Sequence, residues 1–356
     1  YRLGKIFHTS HGNSEDTMSW TTLGLHKQKK IMYVDPKRKG RPTTECADVP
    51  DNAYFDGLMT DDAVSAMKDF KKNDTPFFLA VGYSKPHLPF SAPKKYWDLY
   101  DRNSIPDSAV PQPPEGMPEY ALKNFGEMRK YKGIPETGSV TEEQKKELQH
   151  GYLACVSYVD AQIGRLLDTL EETGLKENTI VILWGDHGWK LNDYASWCKH
   201  SNMEIDTQVP LIISAPGRLK GQKTNALVEL VDIYPTLTEL CGFQIPAQCE
   251  GSSMVPLLDA PNRPWKSAAF SQYPSKELGG MMGHSMRYGR WRYVEWISKE
   301  NGEIKGRELY DHKDSPLANR NQALNPEMAG TVKELSLKLN KGKGWRTVRQ
   351  ELENRI

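Results

Sequence analysis

The chain has 356 residues, enough for one large domain or two ordinary ones. Its 47 Lys and Arg balance 46 Asp and Glu to a net charge of +1, without the basic excess of a general nucleic-acid binder. Mean hydropathy is negative, no apolar run approaches the ~20 residues of a membrane span, and 16 Tyr, 9 Trp and 9 Phe among many short apolar runs exclude a disordered chain.

Tyr1-Arg2-Leu3-Gly4-Lys5 reads as the interior of a strand rather than a leader peptide. Thr60-Asp61-Asp62 predicts the cap of a helix carrying Val64, Met67 and Phe70. Pro76–Tyr83 is a short, nearly continuous apolar run, as are Thr179–Gly185 and Val209–Ser214. Such runs suit strands covered on both faces, as in a parallel sheet. Residues 91–140 hold many prolines and few apolar runs, the mark of an excursion that lines a functional site. Ile163, Leu166, Leu167 and Leu170 recur at helical spacing and stop at Gly174, a C-cap residue. Helix–strand alternation predicts an α/β core over residues 1–262.

Composition shifts again near Pro261. Beyond it, Ala268–Tyr273 reads as a strand and Gly283–Ile297 as a hairpin turning at Tyr288-Gly289-Arg290. Arg307–Asp311 is a further strand, and residues 326–341 form a helix with Met328, Val332, Leu335 and Leu339 on one face. Residues 263–356 are therefore expected to be a smaller α+β subdomain, an antiparallel sheet plus helix.

Open α/β sheets place ligands beyond the carboxyl ends of their strands. Three strand ends carry unusual residues: Lys5-Ile6-Phe7-His8, Lys85-Pro86-His87 and Asp186-His187-Gly188. Asp186 and His187 are metal-ligand types, a hard oxygen and an imidazole. Lys5, His8, His87 and Lys199 supply cations and proton-transfer groups. A metal among cations suits an anionic oxyester: the metal polarises one oxygen, lysines hold the others and a histidine protonates the leaving alcohol. Each piece has a plainer reading too. Asp-His after a strand is a common turn, and Lys-Pro-His is a turn with a solvated histidine.

Longer motifs go further. Gly4–His8, Phe77–Phe90 and Gly185–Trp189 resemble the type I sulfatases, most of all the iduronate-2-sulfatase branch. Tyr152–Asp160, Val209-Pro210-Leu211 with Ala215-Pro216-Gly217, Val231–Leu237, Ser271–Pro274 and Glu308–Asp311 match in the right order. The resemblance implies an alkaline-phosphatase-like fold, a mixed, mostly parallel sheet flanked by helices with a smaller C-terminal antiparallel sheet. It implies a sulfuric ester hydrolase that uses one Ca²⁺ and a formylglycine made from Cys or Ser in a Cys/Ser-x-Pro-x-Arg motif. Asp186 and His187 resemble two metal ligands, Lys5 the residue at the formylglycine hydroxyl, and His8 the base that expels sulfate. His87 and Lys199 would hold the sulfate and serve the leaving oxygen, all six converging in one cleft. Trp189, Trp197, His200, His284 and Arg287 are candidates for the sugar, since aromatic faces suit sugar rings and Arg suits a uronate or second sulfate.

The nucleophile motif does not occur in the 356 residues, because Cys46, Cys155, Cys198, Cys241 and Cys249 all lack Pro two residues later. The resemblance therefore places it, with an Asp-Asp metal pair, on an N-terminal segment outside this sequence, needed to complete the fold. The expected substrate is a sulfated polysaccharide or glycosaminoglycan in an exported compartment, periplasmic, extracellular or lysosomal. Two alternatives stay open: a phosphodiesterase or phosphonate hydrolase of the same superfamily, and a catalytically inactive relative. Five cysteines are too few for a disulfide scaffold; Cys241 and Cys249 flank a short loop that a disulfide could close, and Cys155 and Cys198 read as buried thiols.

Overall fold

The computed structural model describes residues 1–8, 16–22, 31–123 and 125–340. Residues 341–356, the end of the expected C-terminal subdomain and of its helix, lie outside the described residues. The chain forms two compact units, one of residues 1–107 with 127–179, the other of 108–126 with 180–356.

In the first unit, β1 (Arg2–Gly4), β2 (Thr44–Ala47), α1 (Phe55–Lys72), β3 (Ala80–Gly82), β4 (Phe90–Pro93), α2 (Lys94–Trp97) and α3 (Glu142–Glu172) follow in order. β1 runs parallel to β3 and β2 parallel to β4. Leu3, Met59 and Ala63 form a buried cluster against which Phe55, Leu79, Val81 and Leu166 pack, so the first strand pair sits on α1 and α3. α1 begins at Phe55, earlier than its Thr60-Asp61-Asp62 signal. Thr60 lies inside the helix, its hydroxyl donating to the Asp56 carbonyl and meeting Tyr83, which leaves it no capping role. α3 opens on a capping box of Thr141 and Gln144, and two residues past its end Gly174 takes the left-handed conformation at φ +69.

The second unit contains β5 (Val181–Trp184), β6 (Lys190–Leu191), β7 (Trp197–Cys198), α4 (Glu204–Thr207), β8 (Leu211–Ser214), α5 (Ile233–Leu240) and α6 (Val255–Asp259). It closes with β9 (Ala268–Ser275), β10 (Met281–Tyr288), β11 (Trp291–Ser298), β12 (Ile304–Asp311) and α7 (Ala329–Asn340). β5 and β8 pair antiparallel to each other, not parallel as their apolar runs suggested. The last four strands form one antiparallel sheet in the order β12-β11-β10-β9, and the β10–β11 hairpin turns at Gly289 and Arg290 as its sequence predicts. Leu335 and Leu339 of α7 enter a core with Met286, Tyr293 and Leu309, and Met328 and Val332 pack on it. The helical stripe read from the sequence is the face that covers this sheet.

Candidate active site

Lys5, His8 and His87 belong to the first unit. Gly4 pairs with Gly82, and the Lys5 amide donates to the Gly82 carbonyl at 2.7 Å. A Cβ on Gly82 would collide with the backbone carbonyl of Lys5, so this close crossing requires glycine. Lys5, half-buried, and His8, exposed, follow directly at the strand end.

The Lys85-Pro86-His87 turn follows β3. The buried Asp56 carboxylate accepts hydrogen bonds from the Ser84 amide at 3.1 Å and the Lys85 amide at 2.8 Å. Lys85 itself is buried, its ammonium donating to the Pro89 carbonyl and to Ser91 Oγ, the latter at 2.9 Å. The His87 ring lies between two acceptors, with Nδ1 2.8 Å from the Leu88 carbonyl and Nε2 3.0 Å from Glu127 Oε1. A ring carrying both N–H groups satisfies both of them. Sequence reasoning missed Asp56 and Glu127. Neither lies in a recognisable motif, and each acts on a turn remote in sequence.

Asp186, His187 and Lys199 belong to the second unit. The Asp186-His187-Gly188 turn leaves β5 and is pinned by the Gly185 amide on the Pro210 carbonyl at 3.1 Å and the Gly188 amide on the Asp206 carbonyl at 2.9 Å. A Cβ on Gly188 would strike the Ile205 carbonyl, so the turn can rest on α4 only with glycine there. His187 Nδ1 is 2.9 Å from the Gly188 carbonyl and its Nε2 3.6 Å from Asp186 Oδ1. The His187 and Trp189 rings stack with centroids 6.1 Å apart, and Lys199 Nζ lies 5.1 Å from the Trp189 ring centroid. Asp186, His187, Trp189 and Lys199 are thus neighbours.

Beneath them is a buried ion pair that the sequence did not signal, Lys190 with Asp206, which also accepts from Ser201 Oγ. Burial pushes Lys190 down and Asp206 up, each against the pull of the other's charge. This pair ties the segments before and after Lys199 to α4.

The expected sugar contacts divide. Trp197 is fully buried beside Phe125, so its ring is packed in the core and cannot carry a sugar. Arg287 is engaged with Glu204 at 3.2 Å and with the Gly289 carbonyl, which takes up its guanidinium. His200 meets the Tyr273 ring at 5.8 Å, and His284 sits in β10 opposite Gln272 and Glu295. Trp189 keeps its place beside His187 and Lys199.

Among the described residues no three His, Cys, Asp or Glu side chains gather as a metal shell. Asp186, largely exposed, and His187 offer two donors of types that divalent metals accept. All five cysteines are free thiols, Cys241 and Cys249 included. Burial pushes the Cys155 thiol up to about 12, which leaves it inert.

The architecture is that of the alkaline-phosphatase-like hydrolases. A phosphonate monoester hydrolase from Silicibacter pomeroyi superposes with a TM-score of 0.68 at 26% identity over 86% of this chain and 61% of its own. A structure holding its substrate D-glucosamine-2-N,6-O-disulfate gives 0.68 at 23% identity, over 85% of this chain and 70% of its own. The sulfatase family model matches residues 8–243, and that of the N-sulphoglucosamine sulphohydrolase C-terminal region matches 185–344. The chain belongs to the sulfatase family. Human iduronate 2-sulfatase is 29% identical over 90% of this chain and 73% of its own length. A sulfatase of Formosa agariphila is 32% identical over 92% of this chain, which spans 61% of that relative's length.

Proposed function

We propose that this chain carries part of the active site of a sulfuric ester hydrolase acting on a sulfated sugar, a polysaccharide or glycosaminoglycan. Membership of the sulfatase family is the observation that carries the reading. The likeness to iduronate 2-sulfatase and to a structure holding a disulfated glucosamine supports the substrate class. An inactive relative would lack sulfate release even when joined to a converted nucleophile segment.

In this reading Lys5 and Lys199 hold sulfate oxygens by charge. His87 donates its Nε2 proton to the departing sugar oxygen, which takes the place that Glu127 holds at Nε2 in the structure, while the Leu88 carbonyl at Nδ1 fixes the ring. His8 takes up a proton as sulfate is released. Trp189, His200 and His284 flank the sugar. Asp186 and His187 would hold a divalent metal, Ca²⁺ by the resemblance, which polarises a sulfate oxygen when bound. The nucleophile would be a formylglycine on a segment outside these 356 residues, and export belongs to the same reading. No helix among the described residues is long and apolar enough to cross a membrane.

The test is sulfate release. The 356-residue chain alone, with divalent metal, should release none from an aryl sulfate. Joined to a segment bearing a converted Cys/Ser-x-Pro-x-Arg motif, it should hydrolyse sugar sulfates. The likeness to a phosphonate monoester hydrolase favours a second reading, in which the same cations hold a phosphonate. Faster turnover of phosphonate than of sulfate esters by the joined protein would establish that one instead.

A further inference from the structure

The first unit contains a cavity of about 410 Å³ walled by Lys39, Thr44, Lys132, Gln144 and Glu147. Resting on the sulfated-sugar reading above, we propose that it is a second carbohydrate subsite, which holds a sulfated residue of a polysaccharide chain.

The walls are tied together without a ligand. Pro42 bridges in parallel to Lys132, and the Lys132 amide donates to the Arg41 carbonyl at 2.9 Å. Gln144 Nε2 donates to the Gly133 carbonyl at 2.7 Å, and Thr44 Oγ1 donates to Glu147. Tyr33 donates to the Pro42 carbonyl at 2.7 Å. A site built in advance loses little freedom when a ligand enters.

Its charge is arranged for an anion. Lys39, from the run Lys37-Arg38-Lys39-Gly40-Arg41, and Lys132 line the cavity, and the carboxylate in the lining, Glu147, is engaged by Thr44 Oγ1. Among the described residues no carboxylate lies within 4.0 Å of Lys37, Arg38, Lys39, Arg41 or Lys132 in an ion pair. Glu45, the acid nearest in sequence, accepts instead from the Val34 and Asp35 amides and Tyr54 Oη. Arg38 and Arg41 lie on tyrosine faces, 4.3 Å from the Tyr33 centroid and 4.8 Å from that of Tyr131. Like charges assembled without counter-ions repel one another, and an anionic ligand relieves that repulsion.

The remaining lining suits a sugar more than a bare ion. Gln144 and Glu147 can pair with sugar hydroxyls, and Thr44 adds a hydroxyl of its own. The volume falls within the ~300–1,000 Å³ of small-ligand pockets. The cavity also shares a segment with the catalytic histidine. The 3₁₀ helix Gly126–Lys130 sets Glu127 against His87 and leads directly to Lys132.

The test is calorimetric titration of the 356-residue chain with a sulfated glycosaminoglycan hexasaccharide, its desulfated form and a DNA oligonucleotide of equal charge. Binding requires no turnover, so the hydrolase reading and the subsite can fail separately. Lys39→Ala and Lys132→Ala change exposed side chains and should leave the circular dichroism spectrum unaltered. Each should weaken the sulfated hexasaccharide about tenfold or more, as expected for a lost charge-assisted hydrogen bond, while Lys37→Ala, outside the lining, should cost less. The desulfated form should bind at least about tenfold more weakly, for the same reason. Unchanged binding in the Lys39→Ala/Lys132→Ala double variant would overturn the proposal. So would equal binding of the desulfated sugar or of DNA, or an equal loss in Lys37→Ala, any of which would mean a diffuse basic surface. Lysine-dependent binding without sulfate release by the joined protein would keep the subsite and discard the hydrolase.

Discussion

Two strand pairs of the second unit bury opposite kinds of residue. β5 and β8 are written almost wholly in apolar side chains, yet Trp184 is 46% exposed and Ile212 59%. β11 carries Arg292 and Glu295, and both are buried. Arg292 donates to Glu204 Oε2 at 2.7 Å and to Ser285 Oγ at 2.7 Å. Glu295 accepts from Tyr293, Ser336 and Asn340. α4, α7 and the hairpin partner β10 cover β11 and bring donors and acceptors with them. Burial here follows from what lies across the strand and whether it completes the polar groups, not from the strand's own hydropathy.

Arg292→Met tests that contrast most severely. It leaves the buried Glu204 with Arg287 as its one ion-pair partner among the described residues, and stability at pH 7 should fall by about 3–5 kcal/mol. Arg292→Met/Glu204→Met should recover part of that loss, because the buried carboxylate is gone, although Arg287 then keeps only the Gly289 carbonyl. The pH dependence has a definite sign. Burial raises Glu204, but Arg292 and Arg287 together hold it below the ordinary 4.5. A depressed carboxylate contributes stability above its unfolded pKa and loses it as pH falls through the folded value. The gap between wild type and Arg292→Met should therefore narrow below about pH 4.5. Urea titrations at several pH values would show it, and a gap that widened on acidification would break the explanation.

Ile212→Thr is the mildest test. With more than half of its side chain in water, stability should change by no more than about 0.5 kcal/mol. A loss of about 2 kcal/mol or more would be that of a buried side chain, and would mean that this face is covered in solution.

Local patterns were legible and remote pairings were not. The β10–β11 hairpin, β12 and the stripe of α7 follow from turn residues and periodicity within a few tens of residues. The end of α3 at Glu172 follows from the left-handed Gly174 just beyond it. The antiparallel pairing of β5 with β8 depends on how the chain returns, which an apolar run does not encode. Of the candidate site, His87, Asp186 and His187 were visible through their motifs. Asp56, Glu127 and the Lys190–Asp206 pair were not, because each is a single charged residue whose meaning comes only from a partner elsewhere in the chain. Trp197 was misjudged because an aromatic residue reads the same in a core as at a sugar site.

The central claim concerns sulfate-ester hydrolysis with His87 as the proton donor. In the chain joined to a segment bearing the converted motif, His87→Ala should be measured on a sugar sulfate and on nitrophenyl sulfate. A sugar alkoxide needs a proton as it departs, whereas nitrophenolate leaves unaided, and general acid catalysis is worth ~10²–10⁴-fold. The account predicts a loss of that order in kcat on the sugar sulfate and a much smaller one on the aryl sulfate. Equal losses on the two substrates would contradict it and leave His87 a sulfate-holding residue only.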